Sequence, residues 1–391
     1  MSSPQRVVDV DPFDDVSLEL LRLRHSAKWV KYPPDVLPAW VAEMDFALAL
    51  PIREVLLAAV SRDDTGYPDA AKLGPSFARF TSERFGWEVD PERVRLVADI
   101  MSGVIELLRV LTAPGDGVVI NPPVYPPFFL AIRELGREVV EVPLERAANG
   151  WKLDLEALEA VFAAGAARAY LMSQPHNPTG TSFERAELEA VARLASDHGV
   201  TVVSDEVHAP MTMPGATHVP YLAVAGAQAD GLTVASASKA WNLAGLKCAV
   251  IVSASAEMHE RLEEKLPKHL AYHAGHLGVL ATIAAFDQGG EWLDALVAHL
   301  DRNRVFLAEL LADLLPAVGY VPPQAGYLAW LDCRELGLGD DPSEAFLERG
   351  RVALGSGPTF GEPGRGFARL NFGTSSALVE DAVRRMASVI S

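Results

Sequence analysis

Short β-rich runs alternate with longer segments rich in alanine, leucine and glutamate between about residue 94 and residue 255. The β-rich runs are VVINPP (118–123), AYLMSQP (169–175), TVVSDEV (201–207), LTVASAS (232–238) and CAVIVSA (248–254). The helix-like segments include ERAELEAVARLASDHG (184–199), which ends at a glycine, a common stop signal. This alternation predicts an α/β domain whose mostly parallel sheet is covered by helices on both faces. We therefore expect a ligand at the carboxyl ends of the strands.

The pattern changes after about residue 285. A long helical segment (291–315) is followed by two strand-like pieces, GYLAWLD (326–332) and FARLNFG (367–373). Between these pieces, the Gly/Pro-rich stretch GSGPTFGEPGRG (355–366) predicts a loop near a ligand or an interface. The 391 residues are enough for two well-developed cores. We predict a large domain over residues 51–285 and a smaller α/β domain over residues 286–391.

Composition excludes several classes of protein. The 34 Lys and Arg residues against 52 Asp and Glu residues give a net charge of −18. The protein as a whole therefore lacks the positive charge that attracts nucleic-acid phosphates in non-specific binding. No apolar run approaches the roughly 20 residues of a membrane span, and the N-terminus MSSPQRVVDVDPFDD has no apolar signal core. The two cysteines are far apart and suit a reducing compartment. We expect a cytoplasmic protein that binds neither nucleic acid nor membranes and holds no metal.

One lysine, Lys239, stands among small hydroxyl residues in SASKAWNLAGLK (236–247), directly after the apolar run LTVA. A lysine at the end of a buried strand needs a chemical reason. Its amine forms a Schiff base with an aldehyde cofactor once burial and neighbouring charges lower its pKa. Asp205 follows a similar run in VVSDEVH, where a desolvated carboxylate requires a cationic partner. That partner is either a protein cation or the protonated ring nitrogen of a cofactor.

Side chains suited to a phosphate group surround the lysine. They are two hydroxyl donors and one cation: Ser236, Ser238 and Lys247. A further anion-binding element is DIMSGVIELL (99–108), where Ser102 is the expected N-cap of a helix. The amides of Gly103 and Val104 would then open the helix toward the phosphate. Each feature also has an ordinary structural interpretation, because a Ser-Gly pair before a helix is most often only a cap.

Five motifs follow one another along the chain: NPPVYPPF, SQPHNPTG, SDEVHA, SASKAWNLAGLK and ARLNFG. In this order and separation they resemble the fold-type I pyridoxal-phosphate enzymes related to aspartate aminotransferase. The stretch KWVKYPPDVLPAWVAEMDF (28–46), together with TGYP (65–68), is similar to the MalY/PatB branch of cystathionine β-lyases, also called C–S lyases. The resemblance covers nearly the whole chain. It implies a fold-type I transferase fold, pyridoxal 5′-phosphate as cofactor, a homodimer, and an N-terminal segment (1–50) that lines the active site and packs with the small domain.

The resemblance also implies roles at the cofactor. Lys239 would hold pyridoxal phosphate and be the catalytic residue, while Asp205 would pair with the pyridine nitrogen. Tyr125 would stack on the ring, and Asn177 and His208 would lie near its phenolic oxygen. The residues implied around the phosphate are Gly103, Val104, Ser236, Ser238 and Lys247, with Tyr67 contributed by the neighbouring subunit.

At the substrate, the resemblance implies that Arg369 in ARLNFG binds the α-carboxylate through a bidentate pair, which its planar fork favours. The further substrate residues implied are Trp40, Ala42, Tyr125 and Asn177. Two positions depart from the common pattern: Glu43 stands where aspartate is frequent, and Thr181 follows PHNPTG where a bulkier basic residue is frequent. Because the N-terminal segment is expected to line the substrate entrance, these departures leave the identity of the substrate open.

The leading hypothesis is β-elimination from cystathionine or another S-substituted L-cysteine, which gives a thiol, pyruvate and ammonia. Freed Lys239 would remove the Cα proton, and Asp205 would keep the ring nitrogen protonated. The alternative is an aminotransferase of the same fold, which needs the same lysine, aspartate and arginine. The N-terminal stretch favours the lyase, as does His208, which stands where many aminotransferases carry tyrosine. A third hypothesis is a cofactor-binding scaffold or regulator, although the intact catalytic set argues against that as the sole role.

Overall fold

The computed structural model describes residues 13–147, 150–227 and 231–390. The expectation that the chain lacks a secretory signal rests mainly on residues 1–12 and lies outside the described residues. Across the described ranges, no helix combines the length and the apolar character that crossing a membrane requires.

Helices and strands alternate along most of the described chain. The helices are α1 (Leu18–Leu21), α2 (Ala27–Val30), α3 (Leu50–Ser61), α4 (Leu73–Phe85), α5 (Ile100–Leu111), α6 (Pro126–Glu134), α7 (Leu155–Ala163), α8 (Arg185–His198), α9 (Ala256–Lys265), α10 (His276–Gln288), α11 (Gly290–Leu314), α12 (Pro342–Glu348) and α13 (Ser376–Ala387). The strands are β1 (Leu37–Pro38), β2 (Val94–Val97), β3 (Gly117–Ile120), β4 (Glu138–Glu141), β5 (Glu145–Ala147), β6 (Gly150–Lys152), β7 (Ala169–Ser173), β8 (Thr201–Asp205), β9 (Leu232–Ala235), β10 (Ala249–Ser253), β11 (Gly319–Tyr320), β12 (Leu328–Asp332), β13 (Val352–Ala353), β14 (Gly355–Ser356) and β15 (Phe367–Asn371). The helix predicted at 184–199 is α8, which ends at Gly199 in the left-handed conformation.

The large sheet has the strand order β2–β10–β9–β8–β7–β3–β4. Strands β9, β8, β7, β3 and β4 run parallel, whereas β10 pairs antiparallel with both β2 and β9. Every residue of β3, β7, β9 and β10 is buried, as expected for strands that are covered on both faces. The predicted α/β fold with a mostly parallel sheet is confirmed.

Two apolar clusters cover the two faces of this sheet. Val118 and Ile120 of β3 belong to a cluster that also contains buried residues of α5, α6 and α9. Val119, between them, belongs to the other cluster, which contains buried residues of α8 and α10. Successive side chains of a strand point to opposite faces, so neighbours in sequence pack into different clusters. The sheet is thereby fixed between two helical layers.

A smaller sheet, in the order β11–β12–β15–β14, follows the long helix α11. The helix predicted at 291–315 and the strands predicted at 326–332 and 367–373 are therefore confirmed. The prediction that 355–366 is entirely loop is wrong, because Gly355 and Ser356 form β14 and pair with β15. The domain boundaries at residues 50 and 285 stay predictions.

The N-terminal segment contacts this second sheet. Strand β1 pairs in parallel with β13 in a separate two-stranded sheet. The side-chain Nδ2 of Asn371, at the end of β15, donates 2.7 Å hydrogen bonds to the carbonyl oxygens of Val41 and Glu43. A buried ion pair of 2.8 Å between Lys28 and Asp45 further holds the segment together. The bonds from Asn371 hold residues 41–43 at the end of β15, and Val41 and Ala42 line a cavity together with Asp205 and Lys239 of the large sheet's carboxyl edge.

Candidate active site

A cavity of about 330 Å³ opens at the carboxyl ends of β7, β8 and β9, where the sequence predicts a ligand. Ser173 and Asp205 end β7 and β8, and Lys239 follows β9. The predicted site residues on the cavity wall are Ala42, Tyr125, Asn177, Asp205, His208, Ser238, Lys239, Lys247 and Arg369. Within the described ranges, no cluster of three or more His, Cys, Asp or Glu side chains is arranged to hold a metal ion. The fold thus gathers side chains that are distant in sequence around one space.

Lys239 lies in the turn after β9, with its side chain partly buried. Its Nζ donates a 2.9 Å hydrogen bond to the carbonyl oxygen of Ala42. Burial, together with the positive charge of Arg369, lowers the pKa of Lys239 to about 8. A lysine with this pKa is partly neutral near physiological pH, which both a nucleophile and a general base require.

Asp205 ends β8 and is only 5% exposed. Its Oδ1 accepts a 3.1 Å hydrogen bond from the backbone N–H of Val207, and it forms no ion pair within the described chain. Burial raises the pKa of Asp205 to about 7. A buried carboxylate in this setting is stable either in its neutral form or with a ligand that supplies the positive charge.

His208 lies three residues after Asp205 and is buried. Burial, with added repulsion from Lys239 and Arg369, lowers the pKa of His208 to about 3, so its ring is neutral at physiological pH. Its Nδ1 finds no hydrogen-bond partner among the described residues. The ring meets Tyr327 edge-on, with 6.2 Å between the centroids. His208 therefore brings an uncharged ring to the cavity wall, while its unpartnered Nδ1 is buried beside Gly326.

Arg369 lies at the middle of β15 and is 7% exposed. Its Nη1 donates a 3.0 Å hydrogen bond to Oδ1 of Asn177, and its Nη2 donates one of 3.2 Å to the carbonyl oxygen of Trp40. Its Nε has no partner within the described chain. Burial lowers the pKa of Arg369 to about 10, which still leaves the group charged at neutral pH. A guanidinium fixed in this way presents its charge to an incoming carboxylate.

The start of α5 differs from the prediction. The N-cap is Asp99 and not Ser102, because Oδ1 of Asp99 accepts a 2.8 Å hydrogen bond from the Ser102 N–H. Gly103 and Val104 are buried one turn inside the helix, and the Gly103 N–H bonds to the carbonyl oxygen of Asp99. The structure therefore does not place these two amides at the cavity. The first two residues of α5 line it instead.

The other predicted phosphate ligands occupy different environments. Ser238 and Lys247 line the cavity, and Nζ of Lys247 lies 2.7 Å from Oδ2 of Asp99. Ser236 is buried and supports the turn, since its Oγ donates to the carbonyl oxygen of Cys248 at 2.6 Å and accepts from the Ser238 N–H at 3.0 Å. Sequence reasoning missed Asp99 as a cavity residue. An acidic residue directly before a helix was the signal that could have found it.

Trp40 lines a second cavity, of about 490 Å³. Val41, Tyr125 and Arg369 line both cavities, so the two spaces share a wall. Ala42, the other predicted substrate residue of the N-terminal segment, lines only the first cavity, where its carbonyl oxygen accepts the bond from Lys239. The predicted substrate residues are thus divided between two adjoining spaces.

Tyr67 lies outside both cavities of this chain. Its side chain is 82% exposed, and its ring meets that of Tyr272 edge-on at a centroid distance of 5.7 Å. The predicted contact of Tyr67 with a phosphate group therefore requires the site of a second subunit.

Known proteins resemble this chain along almost its whole length. The sequence pattern of the family described as Aminotransferase class I and II matches residues 32–386. A relative from Mycobacterium leprae (strain TN), provisionally named a cystathionine beta-lyase, is 42% identical over 96% of this chain and 97% of its own. Cystathionine beta-lyase PatB of Bacillus subtilis (strain 168) is 33% identical over 94% of this chain and 97% of its own.

A solved structure gives the same result for the fold. A crystal structure from Corynebacterium diphtheriae, provisionally described as a PLP-dependent beta-cystathionase, is 36% identical and superposes with a TM-score of 0.90. The match covers 96% of this chain and 98% of the other. The predicted fold-type I transferase fold is confirmed by this agreement together with the family match. The chain belongs to the aminotransferase class I and II family.

Proposed function

We propose that this protein is a pyridoxal-phosphate-dependent carbon–sulfur β-lyase that acts on cystathionine or another S-substituted L-cysteine. The observation that carries the proposal is the meeting of three groups at one cavity: the Lys239 amine, the buried Asp205 carboxylate and the Arg369 guanidinium. The names of the relatives, which include cystathionine lyases, support the lyase over other reactions of the family.

The part of the cavity lined by Asp205 and Lys239 fits the ring of pyridoxal phosphate. Asp205 is buried and forms no ion pair within the described chain, so it would hold the protonated ring nitrogen, whose positive charge compensates the carboxylate. Lys239 would hold the aldehyde carbon. Tyr125, on the same wall, would stack on the ring. Asn177 and the ring of His208 are polar groups of the cavity wall suited to the ring oxygen.

The part of the cavity lined by Ser238 and Lys247 fits a phosphate group. Lys247 supplies a positive charge, which is paired with Asp99 in this structure and would turn to the phosphate, and Ser238 supplies a hydroxyl donor. The first turn of α5 faces the same space, and the N-terminus of a helix favours an anion. These residues would anchor the phosphate while the ring end is held by Asp205.

The chain's own residues then position the substrate and move a proton. Arg369 would bind the α-carboxylate, with its orientation fixed by the bonds to Asn177 and Trp40. Lys239, whose pKa of about 8 leaves part of it neutral, would take the proton from Cα. When bound, pyridoxal phosphate supplies the electron sink for the electron pair left on Cα.

The reaction balances with one molecule of water. The Cβ–S bond breaks, and sulfur leaves with the bonding electron pair and takes up a proton to become a thiol. The three-carbon product is released as 2-aminoacrylate, which hydrolyses to pyruvate and ammonia. With cystathionine and water as reactants, the products are homocysteine, pyruvate and ammonia.

The first test uses the purified protein loaded with pyridoxal phosphate and L-cystathionine, without any keto-acid acceptor. We expect pyruvate and free thiol to accumulate in equal amounts over many turnovers. Lys239→Ala should lower the rate at least about 1,000-fold, because the general base and the covalent anchor are lost together. Circular dichroism on the variant provides the folding control.

Two outcomes would count against the lyase. Pyruvate formation by a folded Lys239→Ala protein at the wild-type rate would remove Lys239 from the mechanism. Conversion of the cofactor to its pyridoxamine form without pyruvate would instead support an aminotransferase, the alternative reaction of the family. Absorbance spectra taken during the same assay distinguish the two forms of the cofactor.

We further propose that the enzyme is a cytoplasmic homodimer with a shared active site. The exposed Tyr67 supports this assembly, because it lines neither of the two cavities described above and would reach the phosphate of the partner's site. The two cysteines, Cys248 and Cys333, are buried and unpaired, which suits the reducing cytoplasm.

A further inference from the structure

The second cavity extends the active site beyond Arg369. Its volume is about 490 Å³, and it shares Val41, Tyr125 and Arg369 with the first cavity. The Nε atom of Arg369 is buried and has no partner in the described part of the chain. Arg369, which would bind the substrate α-carboxylate, therefore forms a wall that the two cavities share. A substituent on the substrate's Cβ has room to extend past this wall into the second cavity.

Two charged side chains of opposite sign on the wall of this second cavity, Lys31 and Glu344, form no ion pair within the described chain. Nζ of Lys31 lies 4.0 Å from the centroid of the Trp40 ring and has no carboxylate partner within the described ranges. Glu344, in the first turn of α12, is exposed and likewise forms no ion pair there. One ammonium and one carboxylate thus remain available to a ligand.

Asp341 differs from these two residues although it lines the same cavity. Its Oδ1 accepts a 2.6 Å hydrogen bond from Oγ of Ser343, and its Oδ2 accepts one of 2.5 Å from Oγ of Ser356. This carboxylate is engaged in capping α12 and holding β14. Glu344 is therefore the acidic side chain of this wall that is free to meet a cation on a ligand.

We propose that the second cavity binds the leaving group, and that Lys31 and Glu344 select substituents that end in an α-amino acid. The distal carboxylate would meet Lys31, and the distal ammonium would meet Glu344. The aromatic rings of Trp40 and Phe360 would pack against the intervening methylene groups. The inference rests on the proposed lyase function and narrows its substrate class to thioethers that join two amino acids, such as L-cystathionine.

The test compares L-cystathionine with S-ethyl-L-cysteine, which has the same reacting end but lacks the distal charges. Lys31→Met and Glu344→Gln remove one charge each while keeping the length of the side chain. Each variant should lower the ratio of kcat/KM for L-cystathionine to kcat/KM for S-ethyl-L-cysteine by about fivefold, as expected for one solvent-accessible charge contact. Lys265→Met, an exposed lysine of α9 that lines neither cavity, should leave the ratio within about twofold.

The results separate the inference from the proposed function. If both substrates give pyruvate and neither variant changes the ratio of their kcat/KM values, the inference is overturned and the lyase proposal stands. Pyruvate from neither substrate would overturn the lyase and the selection of its leaving group together. A fall in the ratio for both cavity variants, with none for the control, supports the inference.

Discussion

At the scale of single residues, the burial of Asp205 in the candidate site makes the folding stability of the protein depend on pH. Burial raises the pKa of Asp205 to about 7, far above that of a solvated aspartate, so the folded cofactor-free protein binds this proton more tightly than the unfolded chain. The contribution of Asp205 to stability therefore declines as the pH rises from about 4 through 7. Asp205→Asn removes this titration. The free energy of unfolding of the variant minus that of the wild type should rise by about 2 to 3 kcal/mol between pH 5 and pH 8.

Urea titrations of both cofactor-free proteins at several pH values measure this difference. A difference that does not change with pH would contradict the view that burial of Asp205 outweighs the attraction of Lys239 and raises the pKa of Asp205. Binding of pyridoxal phosphate supplies that charge in the proposed function, so the loaded wild-type protein should retain more of its stability at pH 8 than the cofactor-free protein does.

Charged side chains were the most predictable part of the site. Lys239 and Asp205 stand out in the sequence because a charge beside a buried strand is costly unless it has a purpose, whereas Arg369 was assigned only through the family resemblance. Backbone amides carry no such signal. The motif DIMS contains two good N-cap residues, Asp99 and Ser102, three positions apart, and the sequence alone does not say at which of them the helix begins.

At the scale of an element, the turn of the HNPTG motif depends on its glycine. Gly180 has a φ of +67°, and its carbonyl oxygen accepts hydrogen bonds from the N–H groups of Gln324 and Ala325 at 2.9 and 3.1 Å. A Cβ atom at Gly180 would collide with Pro323. We expect Gly180→Ala to combine the cost of a left-handed alanine, about 1 kcal/mol, with an overpacking cost of about 1 to 3 kcal/mol.

Gly165 provides a matched control for this prediction. Its φ is +66°, but no atom lies within 4 Å of the position that its Cβ would occupy. Gly165→Ala should therefore show the backbone cost alone. The free energies of unfolding of the two variants, measured in urea, give the packing contribution by difference, and equal values would disprove the contact with Pro323.

Regular elements followed from local patterns, whereas short strands did not. Helices α8 and α11 and the buried strands of the large sheet show clear periodicity or apolar runs in the sequence. Strands β1 and β14 contain two residues each, and they exist because they pair with β13 and β15. Pairing partners far apart in sequence are not visible in a local pattern, so these strands could not be predicted.

At the scale of the whole molecule, one chain supplies most of the candidate site, and the proposed dimer would supply the rest. The N-terminal segment, the large sheet and the small sheet all contribute walls to the two cavities, and their contacts are internal to the chain. Tyr67 is exposed and lines neither cavity, and its assignment to the site of a neighbouring subunit stays a prediction. Helix α3, a short distance before Tyr67, also exposes Leu50, Leu57 and Val60.

This apolar face of α3 is expected to meet a second copy of the chain. Leu57→Glu would place a charge in the interface and should raise the dissociation constant of the dimer about tenfold or more, because burying an unpaired charge is costly. Leu130→Glu on α6 is the matched control, since Leu57 and Leu130 are 58% and 56% exposed in the single chain. Sedimentation-equilibrium runs on the loaded proteins measure both constants. A monomeric wild type, or a dimer that both variants weaken equally, would show that the face of α3 is not the interface and that Tyr67 does not complete a partner's site.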